Sequence, residues 1–161
     1  MHKPIYASGF LYHPSTHQIL LQQPTVRDNL PSPLDIFSVV SREGEDPKSA
    51  FARIILEELH IELKITNIFP VYDYTSSDTH HRDVFVFYAV VKKLVDVFPD
   101  HKRTYSWFTF KQISKLSLVD QAKQDIMISE RVIHAAERTK ASIHVEPAHI
   151  HFPKLLRAFS R

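Results

Sequence analysis

The chain has 161 residues, enough for one domain with a substantial core but too few for several domains. An apolar fraction of 43% and a charged fraction of 24% are typical of a globular protein. A net charge of +2 argues against a strong nucleic-acid binder, and the lack of cysteine excludes disulfides and thiolate chemistry. No stretch is long and apolar enough to be a signal peptide or to span a bilayer. We therefore expect one cytoplasmic domain with no membrane partner.

Two short apolar segments open the chain. Residues 5–12 and 18–23 are both rich in apolar residues, and a polar turn separates them, so they predict a β-hairpin. A loop punctuated by prolines follows over residues 24–35. The apolar run at residues 36–40 predicts a short buried strand that leads into a helix.

The clearest helix pattern begins at Asp46. This residue can cap the first free backbone N–H groups, and Pro47 suits the first helical position because its missing donor costs nothing there. Apolar residues then recur at a spacing of four, which predicts an amphipathic helix over about residues 47–60. The apolar stripe consists of Phe51, Ile55 and Leu59.

Strand patterns follow the helix. Residues 65–69 and 71–74 are strand-like but are interrupted by Pro70, which suits an edge strand or a bulge. Residues 83–91 are apolar at consecutive positions, as in a central strand that is buried on both faces. Residues 105–110 predict a further strand.

A second long helix is predicted over residues 119–140, with one apolar and one charged face. We interpret residues 1–141 as the domain and residues 142–161 as a tail that packs on the domain or on a partner subunit, which leaves a homodimer open. In the tail, His149 and His151 share one strand face, but a zinc or nickel site would need further ligands. We interpret them as part of an edge strand or docking arm.

Two adjacent carboxylates stand near the end of the first helix. Glu57 and Glu58 repel one another unless a cation lies between them, and Arg53 lies one turn before Glu57. Either solvent screens the two charges, or a hard divalent cation such as Mg²⁺ binds them. Taken alone, a Glu-Glu pair on a helix is usually a solvated face.

The segment around this helix resembles the signature box of the Nudix hydrolases. That box reads Gly, any five residues, Glu, any seven, then Arg-Glu-apolar-any-Glu-Glu-any-Gly-apolar. The positions that match are Glu45, Arg53, Ile55, Glu57, Glu58 and Ile61. The positions that depart are Val39 and His60, which replace the two glycines, and Ile54, which replaces the Glu after Arg. The hairpin, the late strand and the last helix also follow the family order over about residues 5–140.

The resemblance implies an α/β fold, a Nudix-type α/β/α sandwich with a mixed twisted sheet and two main helices. It also implies cleavage of a nucleoside diphosphate derivative by water, assisted by Mg²⁺ or Mn²⁺. By position, Glu57 and Glu58 hold the metal and Arg53 fixes a box carboxylate. Glu45 supports the loop or adds a ligand through water. Ile54 can neither bind metal nor activate water, so we expect a weakly bound cation.

Three functions stay open at this stage. The first is a Nudix pyrophosphohydrolase, with reduced activity, that draws a further carboxylate from another loop. The second is a non-catalytic, Nudix-like module that binds a nucleotide as a sensor or regulator. The third is an assembly or interaction module that uses the tail. The candidates for the further carboxylate are Asp78, Asp83, Asp96 and Asp100.

Overall fold

A computed structural model of the chain describes residues 4–25, 32–77, 81–98 and 102–143. The elements follow the predicted order of hairpin, short strand, helix, strands and long helix. They are β1 (Ile5–His13), β2 (Gln18–Pro24), β3 (Phe37–Val40), α1 (Pro47–Leu59), a 3₁₀ turn (Ile65–Asn67), β4 (Ile68–Thr75), β5 (Asp83–Val90), β6 (Arg103–Thr109), α2 (Phe110–Ile113) and α3 (Asp120–Ile143).

Strand β1 forms the centre of a mixed sheet. Within the described ranges the sheet has six strands in the order β4-β5-β1-β2-β6, and β3 also pairs with β1. Strand β5 pairs with β1 on one side and runs parallel to it. On the other side of β1, β3 pairs with its first half and β2 with its second half, both antiparallel. The predicted hairpin and the predicted central strand are therefore confirmed.

The edge strand β4 contains the predicted irregularity. Its pairing register with β5 shifts between Pro70 and Tyr72, as expected for a proline in an edge strand. The prediction of a strand from residue 65 onwards is wrong, because Ile65–Asn67 form a 3₁₀ turn closed by a 2.9 Å bond from Asn67 N to Lys64 O. Asn favours such turns over extended backbone.

The sheet separates two apolar cores. Side chains of β1 alternate between them: Ala7 and Leu11 face α1, while Phe10 and Tyr12 face α3. The α1 core includes the predicted stripe of Phe51, Ile55 and Leu59, all of which are buried. One helix layer on each face of the sheet gives the predicted α/β/α sandwich.

Helix α1 has well-defined ends. Asp46 Oδ1 accepts a 3.0 Å hydrogen bond from Ser49 N, and Pro47 occupies the first position, as predicted. The helix stops one residue earlier than predicted, because His60 turns left-handed (φ 57°) and donates its N–H to Leu56 O at 3.0 Å. His60 stands where the Nudix box has its last Gly, and a non-glycine residue adopts this left-handed backbone at a cost of about 1 kcal/mol.

Two further boundaries differ from the prediction. Strand β6 stops at Thr109, because the Thr109 and Gln112 side chains form a capping box that starts α2. Helix α3 runs to Ile143, past the predicted domain boundary at residue 141. Residues 144–161, with His149 and His151, lie outside the described residues, so the division into domain and tail stays a prediction. None of the helices described is long and apolar enough to cross a membrane.

Candidate functional site

Arg53 and Glu45 form the shortest and least exposed ion pair described in the α1 region. Arg53 Nε donates to Glu45 Oε1 at 2.8 Å and Arg53 Nη2 donates to Glu45 Oε2 at 3.0 Å. Both side chains are only 17% exposed. Arg53 Nη2 also donates to the carbonyl oxygen of Val40 at 3.0 Å. Arg53 therefore ties the end of β3 and the loop before α1 to the helix.

The carboxylate of Glu45 is fully engaged in this arrangement. Its Oε2 also accepts a 2.8 Å hydrogen bond from Arg42 N. The hydrogen bonds from Arg53, opposed by burial and aided by Arg42, lower the pKa of Glu45 to about 2. With both oxygens occupied, Glu45 fits the role of loop support better than that of a direct metal ligand.

Glu57 lies between two guanidinium groups. Arg42 Nη2 is 3.2 Å from Glu57 Oε1, and Arg53 Nη1 is 3.4 Å from Glu57 Oε2. The Glu57 side chain is 46% exposed, so solvent screens both pairs. The predicted contact of Arg53 with a box carboxylate is thus present twice, once to Glu45 and once to Glu57.

Glu58 points towards the other side, to strand β6. Its Oε2 is 3.2 Å from Arg103 Nη1 and accepts a 3.4 Å hydrogen bond from Tyr105 OH. Arg103 Nη1 also donates to Gln22 Oε1 at 2.9 Å. The repulsion between Glu57 and Glu58 is therefore relieved within the chain by arginines on both sides.

The Glu-Glu pair borders a cleft of about 560 Å³. The end of α1 forms one wall, and the segment before β6 forms the opposite wall. The lining residues are Glu57, Glu58, Leu59, His60, Asp96, Val97, Phe98, Lys102 and Arg103. The cleft thus combines carboxylates that can bind a divalent cation with cationic side chains that can attract phosphate.

The metal ligands predicted from the box are incomplete as a resident site. Within the described ranges, no three His, Asp or Glu side chains stand together as a metal-binding group. Of the candidates for a further carboxylate, Asp96 lines the cleft, whereas Asp83 accepts a hydrogen bond from Thr75 at 2.8 Å. Asp78 and Asp100 lie outside the described residues. Glu57 and Glu58 both line the cleft and would hold a cation such as Mg²⁺ together with a phosphate ligand, since Mg²⁺ commonly takes one or two carboxylates plus phosphate oxygens.

Ile54 and Val39 show what occupies the positions of the missing Glu and of the first box glycine. Ile54 is only 8% exposed and belongs to the core beneath α1. Ser38 and Val39 lie in β3 opposite Ser8 and Ala7, in regular ladder pairing. Ser8 Oγ donates to Ser38 Oγ at 2.9 Å. The position of the missing Glu is thus filled by core packing, and that of the first box glycine by strand pairing.

A second recess, of about 230 Å³, lies on the α3 side of the sheet. Asp125 is buried in its wall and accepts hydrogen bonds from Tyr72 OH and from Gln121 Nε2. Burial raises the pKa of Asp125, and it also raises the pKa of Asp35, which lines the same recess. Carboxyl groups held in this way can accept or donate hydrogen bonds to a polar ligand.

Sequence reasoning missed Arg42, Arg103 and Asp125. Arg42 stands three residues before Glu45, a spacing that is compatible with a loop contact but not specific for one. Arg103 comes from a strand 45 residues beyond Glu58, and no local pattern joins the two. Asp125 interrupts the apolar face of α3, and a carboxylate on such a face is a signal that could have drawn attention to it.

The comparisons with known proteins concern the fold and the family. A family model described as the NUDIX domain matches residues 3–129. The comparison with curated proteins finds no match. Among solved structures, the NUDIX domain of Shewanella oneidensis NrtR complexed with ADP ribose has a TM-score of 0.62 at 12% identity, covering 83% of this chain and 90% of that one.

Two further structures give similar values. A MutT/nudix family protein from Enterococcus faecalis has a TM-score of 0.63 at 14% identity, covering 83% of this chain and 63% of that chain. A hydrolase of the NUDIX family from Clostridium perfringens has a TM-score of 0.60 at 12% identity, covering 81% and 96%. Identities this low show a shared fold only. The family model matches most of the sequence and therefore shows the family. The chain belongs to the Nudix family.

Proposed function

We propose that this chain is a slow Nudix-type pyrophosphohydrolase that binds a nucleoside diphosphate derivative beside Glu57 and Glu58. The observation that carries the proposal is the position of this acidic pair, at the border of the 560 Å³ cleft that Lys102 and Arg103 also line. A pyrophosphate group needs cations around it and a cation-binding carboxylate pair next to it, and the cleft offers both.

A weakly held Mg²⁺ or Mn²⁺ is part of this proposal. When bound, it would stabilise the negative charge that develops on the phosphate oxygens. Glu57 and Glu58 would hold it together with the ligand; Asp96 lines the same cleft, but within the described residues it does not stand with them as a metal-binding group. The Nudix family generally uses divalent cations, which supports the choice of metal.

The chain's own residues explain both the binding and the slow rate. Arg53 joins the loop before α1 to the helix through Glu45, and its Nη1 lies 3.4 Å from Glu57 Oε2, so it orients a carboxylate of the cleft before the ligand arrives. In the reaction, water adds across the pyrophosphate bond and gives two phosphate monoesters. Ile54 has no atom that can accept the proton of this water, so one contribution to the rate is missing.

A non-catalytic nucleotide-binding module is the second candidate. The observation that favours it is the burial of Ile54, since a chain that packs this position with hydrocarbon has given up one catalytic carboxylate. The complex of the similar Shewanella domain with ADP ribose is compatible with either candidate. The cytoplasmic location and the homodimer stay predictions of the sequence.

A thermal-shift screen tests the shared part of both candidates. The protein would be heated with nucleoside diphosphate derivatives, ADP-ribose among them, with and without Mg²⁺ or Mn²⁺. A ligand present at 100 times its Kd stabilises the fold by about 2.7 kcal/mol, which corresponds to a rise in Tm of roughly 5–11 °C for a chain of this length. We expect such a rise, and we expect it to be larger with metal.

The control is Glu57→Gln/Glu58→Gln, which keeps the size of both side chains. This variant should lose the metal-dependent part of the shift. If no nucleotide raises the Tm of the parent protein under any metal condition, both candidates fall, and the interaction module would lead.

A further inference from the structure

Arg103 contacts both a carboxylate of the cleft and a buried amide. It starts strand β6, and its Nη1 lies 3.2 Å from Glu58 Oε2 and 2.9 Å from Gln22 Oε1. Gln22 is itself buried, and its Nε2 donates to Ile36 O at 2.8 Å. The Arg103 guanidinium is thus held by the buried amide of Gln22, and it also contacts the carboxylate of Glu58 at the cleft.

In this position Arg103 competes with a divalent cation for the carboxylate of Glu58. A metal that binds Glu58 must share or displace the guanidinium that already neutralises this carboxylate. The pair is partly exposed, with Arg103 at 36% and Glu58 at 24%, so its strength is modest and its exchange is accessible to solvent ions. The ion pair therefore weakens metal binding without abolishing it.

A ligand phosphate changes this balance. Arg103 and Lys102 line the same cleft as Glu58. A guanidinium matches two oxygens of a phosphate as well as it matches a carboxylate. A phosphate beside Glu58 thus gives Arg103 an alternative anion, and it releases Glu58 to the cation that accompanies the phosphate.

We propose that Arg103 is a positioning residue that neutralises Glu58 in the ligand-free cleft and turns to the ligand's diphosphate when a divalent cation takes Glu58. This inference rests on the proposed function for the identity of the ligand class. Metal alone then binds weakly because Arg103 competes with it. The diphosphate binds because Arg103 contacts it.

The first arm of the test measures Mn²⁺ binding without nucleotide, by the electron paramagnetic resonance signal of free Mn²⁺. Arg103→Gln should bind Mn²⁺ about threefold to tenfold more tightly than the parent, because Glu58 loses its competing cation. Arg103→Lys should stay near the parent. The matched control is Arg138→Gln, which removes an exposed cation of α3.

The second arm measures ADP binding by calorimetry in EDTA, where no metal takes part. Here Arg103→Gln should bind ADP about tenfold more weakly than the parent, while Arg138→Gln should not change. The two arms thus move in opposite directions. A variant that was merely destabilised would lose affinity in both, and melting curves of all variants would report such a loss.

A double variant isolates the ion pair. In a Glu58→Gln background, Arg103→Gln should no longer raise Mn²⁺ affinity, because the carboxylate that the two cations share is gone. Unchanged or weaker Mn²⁺ binding by Arg103→Gln, or unchanged ADP binding, would overturn the inference. If the parent bound no ADP with or without metal, the proposed function would fall with the diphosphate contact, and the Mn²⁺ arm would still decide whether Arg103 competes for Glu58.

Discussion

At the scale of single residues, the departures from the Nudix box have different structural consequences. His60 adopts a left-handed backbone, which glycine reaches more easily, and it ends α1 there. Ile54 instead replaces the box carboxylate with a hydrocarbon side chain, which lies in the core with Phe51 and Ile55. One mismatch in a motif can therefore concern only the ease of a backbone turn, while another removes a functional group.

Ile54→Glu would add a third carboxylate one turn from Glu58, but it would place that carboxylate in the core. We expect a loss of about 2–4 kcal/mol of stability, since Ile54 is 8% exposed and a buried carboxylate has no partner there. Burial would raise the pKa of the new carboxyl group. Its neutral form is favoured at low pH, so the Tm deficit should shrink between pH 7.5 and pH 5.5.

Melting curves of the parent, Ile54→Glu and Ile54→Leu check this expectation. The leucine variant conserves volume and should cost less than about 1.5 kcal/mol. A glutamate variant that melts like the parent would mean that position 54 can turn to the cleft, and the account of the missing carboxylate would then be wrong.

Glu45 gives a prediction about pH. Its pKa falls to about 2 from an ordinary value of 4.5, chiefly through the hydrogen bonds from Arg53. A carboxylate with a lowered folded-state pKa stabilises the fold above the unfolded value, and this contribution is lost as pH falls from about 4.5 towards 2. Glu45→Gln should therefore cost about 1 kcal/mol at pH 6, and the difference from the parent should narrow at pH 3.

Urea unfolding at the two pH values measures this difference, with Glu43→Gln as a control from the exposed part of the same loop. A Glu45→Gln deficit that stayed constant from pH 6 to pH 3 would show that the Arg53 pair does not hold Glu45 ionised.

At the scale of elements, local signals predicted α1 well and the loops poorly. Asp46, Pro47 and the apolar stripe specify the helix from residues adjacent in sequence. The left-handed turn at His60 and the 3₁₀ turn at Ile65–Asn67 depend on backbone choices that composition does not fix. The contacts of Glu58 with Arg103 and Tyr105 depend on which strand lies beside α1, so no local pattern could predict them.

Gly9 tests how closely β1, β5 and α1 pack, and Gly44, in the loop before α1, is the comparison. A Cβ added at Gly9 would lie 2.2 Å from Phe87 O and 3.0 Å from the Phe51 ring, so the strands or the helix would have to move. Gly44 has open space around it but a φ of +76°. We expect Gly9→Ala to cost at least about 3 kcal/mol and Gly44→Ala about 1 kcal/mol.

Chemical unfolding of the two alanine variants gives the comparison directly. Equal costs, or a greater cost at Gly44, would contradict the close approach of β1 to Phe87 and Phe51.

At the scale of the whole molecule, the order of elements and the family resemblance were sufficient to predict the sandwich. Consecutive apolar residues over 83–91 already implied a strand covered on both faces, and the structure has Phe87 and Tyr88 of β5 in different cores. The sequence could not predict the balance of charges around Glu57 and Glu58 in the cleft. This balance depends on charges from Arg42, Arg53 and Arg103, which three separate segments bring to one acidic pair.

The most direct test of the central claim is the cleavage of nucleoside diphosphate derivatives, followed by phosphorus NMR. With Mn²⁺ or Mg²⁺, the parent should slowly convert at least one of them into two phosphate monoesters. Glu57→Gln/Glu58→Gln should lower that rate at least about tenfold, or roughly 1.4 kcal/mol of barrier. A parent that binds the nucleotide but never cleaves it, or a double variant that cleaves as fast as the parent, would contradict the hydrolase assignment.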